Sequence, residues 1–294
     1  MTVFERFLQA LTVAGLTVYV LFVSGLLVVQ AVWTALACRS RQALRYAADR
    51  WIIYYSALLY DSFSWINGVQ TIFEPDWPAL RALLKGSGKV VVVVNHQSAA
   101  DIPITCRLLW LAGITNARWL VKRWAYQSKR FSWLRIPFAC VPGIGWALWL
   151  NRSAFLERGG CRDDIRQIRA CTQLAQKDGA AIVFFPEGTR LPQELSGAST
   201  NGQQPRFTLV PETGAVRLIS KQLPEYAFVS ITIVYKRPIP RGVWSLWRLR
   251  RTKVHVYWTY YETLVGQDAR TWTQNEWEHK HNLLKVHHDA HLTR

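Results

Sequence analysis

In Asn95-His96-Gln97-Ser98-Ala99-Ala100-Asp101 an imidazole and a carboxylate stand five positions apart. A histidine with a carboxylate beside it can be held in one tautomer and used as a general base. A second segment, Phe185-Pro186-Glu187-Gly188-Thr189-Arg190, joins an acid, a glycine and a guanidinium. Gly188 permits a tight turn, the amides after it can point outward, and Arg190 offers a bidentate fork for phosphate. Glu187 would repel phosphate unless it paired with Arg190 or held an acceptor hydroxyl. Two lesser segments end apolar runs in basic residues: Trp119-Leu120-Val121-Lys122-Arg123, and Gly143 to Leu150 followed by Asn151-Arg152.

These residues also have plain structural readings. Ser98 and Asp101 stand at the Ser-x-x-acid spacing of a capping box, so Asp101 can cap a helix and His96 can be a loop histidine. The two roles are compatible, because an acid in the first helical turn is rigidly placed to orient an imidazole. Glu187 and Arg190 can form a surface turn with a salt bridge worth roughly 0–1 kcal/mol. Lys122 and Arg152 can be solvated ends of a strand and a helix.

The elements that must position them follow from the apolar pattern. Val90–Val94, Arg118–Val121, Ala181–Phe185, Phe228–Tyr235 and Lys253–Tyr260 read as strands, and Ser98–Ala112, Arg162–Lys177 and Gly214–Lys221 as helices. Both motifs then sit on turns leaving buried strands, where catalytic groups are commonly held. Strands alternating with helices predict an α/β fold, a mixed sheet flanked by helices. Gln193–Gln204, rich in Gly and Ser, reads as a loop.

The N-terminus is a different kind of chain. From Phe7 to Cys38 no side chain is charged, which is long enough to cross a bilayer with tilt or to kink at Gly15 or Gly25. A cleaved signal is the competing reading, with Ala35-Leu36-Ala37 as its cleavage site, but a signal core runs only about 7–15 residues. Arg39, Arg41, Arg45 and Arg50 follow the run, while Arg6 before it is offset by Glu5. The positive-inside tendency then puts the rest of the chain in the cytoplasm. Trp51–Val69 carries Asp61, Ser62, Ser64 and Asn67, and reads as a helix at the interface, packed on the first, or forming a re-entrant pair with it. The chain thus divides into an N-terminal membrane helix or helical pair with its interfacial helix, residues 1–70, and an α/β domain with a C-terminal helix, residues 71–294.

A net charge of +17 fits nucleic acid, an anionic membrane surface or a phosphorylated substrate. Fifteen tryptophans favour the membrane surface, and the absence of any nucleic-acid motif sets that partner aside. The five scattered cysteines form no Cys-x2-Cys pair and read as reduced thiols. Trp244–Arg251 mixes indoles with arginines, as an interfacial segment or an ordinary basic loop. His279, His281, His287, His288 and His291 read as a solvated helix and not as a metal site; no metal is expected.

At this point the blocks Asn95-His96-x4-Asp101, Arg152 and Phe185–Arg190 resemble, in order and separation, those of the lysophosphatidate and glycerol-phosphate acyltransferase family. The similarity covers about residues 85–240. Asn95-His96-Gln97-Ser98 and Leu209-Val210-Pro211-Glu212-Thr213-Gly214 are similar to the branch of lysocardiolipin and lysophosphatidylinositol acyltransferases. Ala99 stands where that branch commonly has an aromatic, and Trp149-Leu150 replaces its usual pair before Arg152. The resemblance implies transfer of a fatty acyl group from acyl-CoA or acyl-carrier protein, a co-substrate with no further cofactor, to the hydroxyl of lysophosphatidic acid or another lysophospholipid. His96 and Asp101 are implied as catalytic, Glu187, Gly188, Thr189 and Arg190 as binding the glycerol-phosphate portion, and Lys122 and Arg152 as phosphate or thioester contacts. The inner membrane, with the catalytic domain cytoplasmic, is the implied location. A glycerol-3-phosphate acyltransferase and a catalytically silent membrane scaffold are the alternatives, the scaffold having no need of intact His96, Asp101, Glu187 and Arg190.

Overall fold

Five consecutive valines, Val90–Val94, are all buried. A strand with no polar alternation has both faces covered, which requires a central place in a largely parallel sheet. The computed structural model, which describes residues 3–38, 40–84, 88–127, 135–157, 161–190, 207–235 and 249–292, puts them there. In chain order the elements are α1 (Val3–Cys38), α2 (Arg41–Asn67), β1 (Gln70–Glu74), α3 (Trp77–Leu84), β2 (Val90–Val94), α4 (Asp101–Leu111), β3 (Ala117–Lys122), β4 (Trp124–Gln127) and β5 (Arg135–Pro137). There follow α5 (Ile144–Leu150), β6 (Ala154–Leu156), α6 (Arg162–Asp178), β7 (Ala181–Phe184), α7 (Thr213–Gln222), β8 (Ala227–Tyr235), β9 (Lys253–Tyr261) and α8 (Ala269–Leu292).

Seven strands form one sheet in the order β1-β9-β8-β2-β7-β3-β6, while β4 and β5 make a separate hairpin. All neighbours in the large sheet are parallel except β8 and β9, so the sheet is mixed, as expected. The five expected strands and three expected helices are present. The edge strands β1 and β6 escaped the apolar pattern because they are short and only partly buried. The α4 helix begins at Asp101 and not at Ser98.

Alternate residues of β2 face opposite layers, as the pleat dictates. Val90, Val92 and Val94 pack with Ile52, Ile104, Leu108 and Leu148 under α2, α4 and α5. Val91 and Val93 pack with Ile168, Val216, Ile219 and Trp277 under α6, α7 and α8. The site therefore lies where loops leave the sheet between two helical layers.

Both N-terminal helices are drawn toward this framework. Tyr19 of α1 donates its hydroxyl to the Tyr55 carbonyl of α2 at 2.6 Å. On α2, Ala48, Trp51, Ile52, Ile53 and Tyr60 are buried in the same cluster as the sheet. Trp51–Asn67 is thus helical and packed on the first helix, one of the arrangements the sequence leaves open. Arg45, counted above among the charges that follow the apolar run, is ion-paired to Asp178 at 2.9 Å. Among the described residues one helix is long and apolar enough to cross a membrane, through the window Thr17–Thr34, and it exposes Val18, Leu21, Phe22, Val29 and Trp33. The close contact of α5 with these helices needs a glycine: Gly143 has φ +77°, and a Cβ there would lie 2.7 Å from Ser24 Oγ. The expected loop Gln193–Gln204 and most of Trp244–Arg251 lie outside the described residues.

Candidate active site

The loop leaving β2 is fastened before it reaches His96. Asn95 behaves like an extra ladder residue: its Nδ2 donates to the Ile233 carbonyl at 3.0 Å and its Oδ1 accepts from the Ile233 N–H at 2.7 Å. The next residue presents its imidazole, with Nδ1 at 2.9 Å from Asp101 Oδ2. The same oxygen accepts the N–H groups of Gln97 at 2.7 Å and Ser98 at 2.8 Å, and Oδ1 accepts the Tyr235 hydroxyl at 2.5 Å. Asp101 is fully buried. Surrounded by donors, its carboxylate is an acceptor only, so Nδ1 of His96 carries the hydrogen. That leaves Nε2, across the ring from Asp101, as the basic nitrogen. Phe185 stacks on the ring at 4.4 Å between centroids.

The capping box is half realised. Asp101 reaches back to the Ser98 N–H, but Ser98 Oγ accepts from the Ala100 N–H at 3.1 Å and not from Asp101. The capping and orienting roles coincide in one carboxylate. Tyr235 was not singled out in the sequence, because a tyrosine ending an apolar strand looks like core. Burial, with the Asp101 charge next, pushes its phenol well above the usual 10, which keeps it a neutral donor.

Glu187 departs from its sequence reading. It is buried, with 5% of its surface exposed, and it neither pairs with Arg190 on a surface turn nor faces outward to hold a hydroxyl. Its Oε1 accepts the N–H of His96 at 3.1 Å and the indole N–H of Trp277 at 3.3 Å, while Oε2 accepts the N–H of Leu209 at 3.0 Å. Burial lifts its carboxyl from 4.5 to about 7, against the pull of the Leu209 and His96 amides. It is a strut tying the second motif to the backbone of the first. The physical reason is geometric: Gly188, with φ +69°, turns the chain so that the residue before it points into the protein.

The amides of this turn differ from expectation as well. The Gly188 N–H donates to the Phe185 carbonyl at 3.0 Å and the Thr189 N–H to the Glu187 carbonyl at 2.7 Å. These two close the turn and are not offered to an anion. The side chains of Thr189 and Arg190 remain the polar groups on the outside. They line, with His96, Lys122, Gly188 and Phe185, one cavity of 380 Å³ whose far wall is apolar: Ile52 of α2, Trp119 of β3, Ile144 and Leu148 of α5. Arg152 is not among the lining residues. It is exposed, has φ +64° after the end of α5, and lies over the Trp149 ring at 5.8 Å.

The C-terminal helix, read as solvated, is instead packed, and it reaches the site. Trp277 holds Glu187, and Lys280, fully buried, donates to the Ile231 carbonyl and to Thr232 Oγ1 on β8. Burial lowers the Lys280 ammonium from 10.5 to about 8. Two of the tail histidines serve packing: His287 Nε2 lies 2.7 Å from the Tyr257 hydroxyl and His281 Nδ1 accepts the Phe207 N–H at 3.4 Å. Among the described residues no three His, Cys, Asp or Glu side chains gather as metal ligands.

The chain is 30% identical over 146 residues to the chloroplastic 1-acyl-sn-glycerol-3-phosphate acyltransferase BAT2 of Brassica napus, covering 50% of this chain and 36% of that protein. It is 25% identical over 253 residues to lysocardiolipin acyltransferase 1 of mouse, covering 78% and 66%. The chain spans about a third of the length of the first plant relatives it matches. The crystal structure of the 1-acyl-sn-glycerophosphate acyltransferase PlsC from Thermotoga maritima superposes with a TM-score of 0.58 at 18% identity, over 95% of this chain and 97% of that one, and so shares the fold. The family model described as Acyltransferase matches residues 78–235, more than half of the chain and the stretch from α3 to β8 that holds His96, Asp101 and the Glu187–Arg190 turn, and the chain belongs to that acyltransferase family.

Proposed function

We propose that the protein is a membrane-held O-acyltransferase that moves a fatty acyl group from a thioester, acyl-CoA or acyl-carrier protein, to the free hydroxyl of lysophosphatidic acid or a related lysophospholipid. The observation that carries this reading is the His96–Asp101 hydrogen bond at the wall of a cavity that also receives Arg190 and Lys122 and is apolar behind. In the reaction, His96 Nε2 takes the acceptor's hydroxyl proton as its oxygen attacks the thioester carbonyl carbon. The C–O bond forms, the C–S bond breaks, and the imidazolium returns the proton to the departing sulfur. Thioester and alcohol become ester and thiol, and attack is direct, with no acyl-enzyme. Asp101 holds the ring and stabilises the imidazolium. Arg190 and Lys122 bind the acceptor phosphate, with Thr189 beside them, and Gly188 shapes the turn that presents them. Glu187 acts through the His96 backbone.

Membrane attachment through α1, in the cell inner membrane with the α/β part cytoplasmic, is the location we infer, supported by the exposed apolar face of α1. An anionic membrane surface suits the +17 charge. The decisive test incubates purified protein with labelled acyl-CoA or acyl-carrier protein and a panel of lysophospholipids and glycerol-3-phosphate. We expect transfer to a lysophospholipid. Arg190→Ala should chiefly raise KM for the phosphorylated acceptor, and an unchanged KM would remove Arg190 from the phosphate site.

A further inference from the structure

A second cavity, of 630 Å³, lies on the opposite face of the sheet between α6 and α7. That volume is within the roughly 300–1,000 Å³ of small-molecule sites. It meets the His96 cavity at a common wall, since Leu120, Phe185, Gly188 and Thr189 line both. Its floor is apolar, with Leu156, Ile168 and Leu218, and three cations, Arg169 of α6 and Arg217 and Lys221 of α7, stand around it. All three are exposed, and none forms an ion pair among the described residues. Of the three carboxylates in its lining, Asp164 is turned inward, accepting the Glu157 N–H at 2.8 Å, Glu187 is buried and held by the His96 and Leu209 amides, and Glu212 is exposed at the end toward the Glu187 turn.

A thioester donor has two unlike parts. The fatty chain is apolar, whereas the 4′-phosphopantetheine arm carries methylenes, amides and a phosphate, and both CoA and acyl-carrier protein contain it. The cavity under α2 and α5 suits the chain and the acceptor. The cavity between α6 and α7 matches the arm: apolar where methylenes run, cationic where a phosphate must be met. We propose that this second cavity holds the phosphopantetheine arm of the acyl donor, with Arg169, Arg217 and Lys221 receiving its phosphate, so that the thioester reaches His96 across the Gly188–Thr189 wall. This rests on the acyltransferase reading and adds a donor site to it.

The test compares the full chain with the triple variant Arg169→Glu, Arg217→Glu, Lys221→Glu and with Leu218→Trp, which fills the floor. Equilibrium binding of free CoA, of 4′-phosphopantetheine and of holo acyl-carrier protein is measured, alongside KM for donor and acceptor and a thermal melt as the folding control. In the triple variant, affinity for the arm and KM for the donor should each worsen roughly tenfold or more, most at low ionic strength. KM for the lysophospholipid should hold within about twofold. Binding lost for CoA and phosphopantetheine alike identifies the arm, and binding of holo carrier protein alone names the protein-borne source. CoA affinity unchanged in both variants, or a loss that falls on the acceptor, overturns the site. Wild-type protein that binds CoA in this way but transfers no acyl group overturns the acyltransferase reading and leaves the site standing.

Discussion

The sheet has a buried polar cluster at each edge, and the two differ in what they leave open. At the N-terminal edge of the parallel strands, Arg118 of β3 is wholly buried between Asp49 of α2 and Asp178 at the end of α6. Asn151 donates to Asp49 at 2.8 Å, and Arg45 donates to both oxygens of Asp178 at 2.9 and 3.0 Å. At the C-terminal edge, Asp101 is surrounded as closely, by two amides, a phenol and an imidazole. In both, a buried carboxylate is tolerated because donors replace the water it lost. The first cluster sets charge against charge, and none of its members lines the His96 cavity. The second ends in a histidine whose second nitrogen is left for something else. One fastens α2 to the sheet, and the other is poised for chemistry.

Substitutions in the two clusters should therefore move different readouts. The largest effect belongs to His96→Ala, which should lower kcat by about 10²–10⁴-fold, the usual contribution of a positioned base, with membrane association and melting temperature nearly unchanged. Near-full turnover in a radiolabelled acyl-transfer assay would end the assignment. Arg118→Leu should do the reverse. Leaving the buried Asp49 without its cation, while Asp178 keeps Arg45, should cost about 3–5 kcal/mol in urea unfolding, and the folded fraction keeps its kcat. Smaller is Tyr235→Phe, which removes one of four donors to Asp101 and should reduce kcat by roughly tenfold. If the loss appears in KM alone, Tyr235 does not act through the base.

Glu187 lies between the two cases, a buried carboxylate holding the His96 loop. Its folded pKa, about 7 against an ordinary 4.5, means that across this window the folded state holds a proton the unfolded state has released. Its contribution to stability is thus full below 4.5 and is lost as pH rises through 7. Glu187→Gln should flatten the fall in unfolding free energy between pH 5 and 7, measured by urea titration, and lower kcat modestly because an amide cannot accept from both flanking N–H groups. Arg152→Ala, outside the cavity, should change stability by less than about 0.5 kcal/mol and leave turnover unchanged. A clear loss would bring Arg152 back to the site.

Much of the framework was legible because its cause is local. Val90–Val94 reads as a buried strand from composition alone, and the His96–Asp101 spacing places both groups on one loop and helix start. Glu187 was misplaced because nothing nearby in sequence shows that Gly188 turns it toward residues 91 positions away. Trp277 was missed, and the histidine-rich tail that carries it was read as solvated, because polar content hides a face that packs on β8. The place of Arg152 was not legible, since an arginine after an apolar run looks the same whether it enters a cavity or, as here, lies over its own helix's Trp149.

By itself the sequence determined the residue types, the α/β alternation, the long apolar N-terminal helix and the acid–imidazole pair, all set within a few residues by periodicity and spacing. Only the tertiary structure decided that Tyr235 completes the pair, that Glu187 is a strut and that Lys122 and Arg190 share a cavity with His96. These depend on which strands become neighbours, and a parallel sheet brings together loops separated by a hundred residues, a distance over which no local pattern carries information.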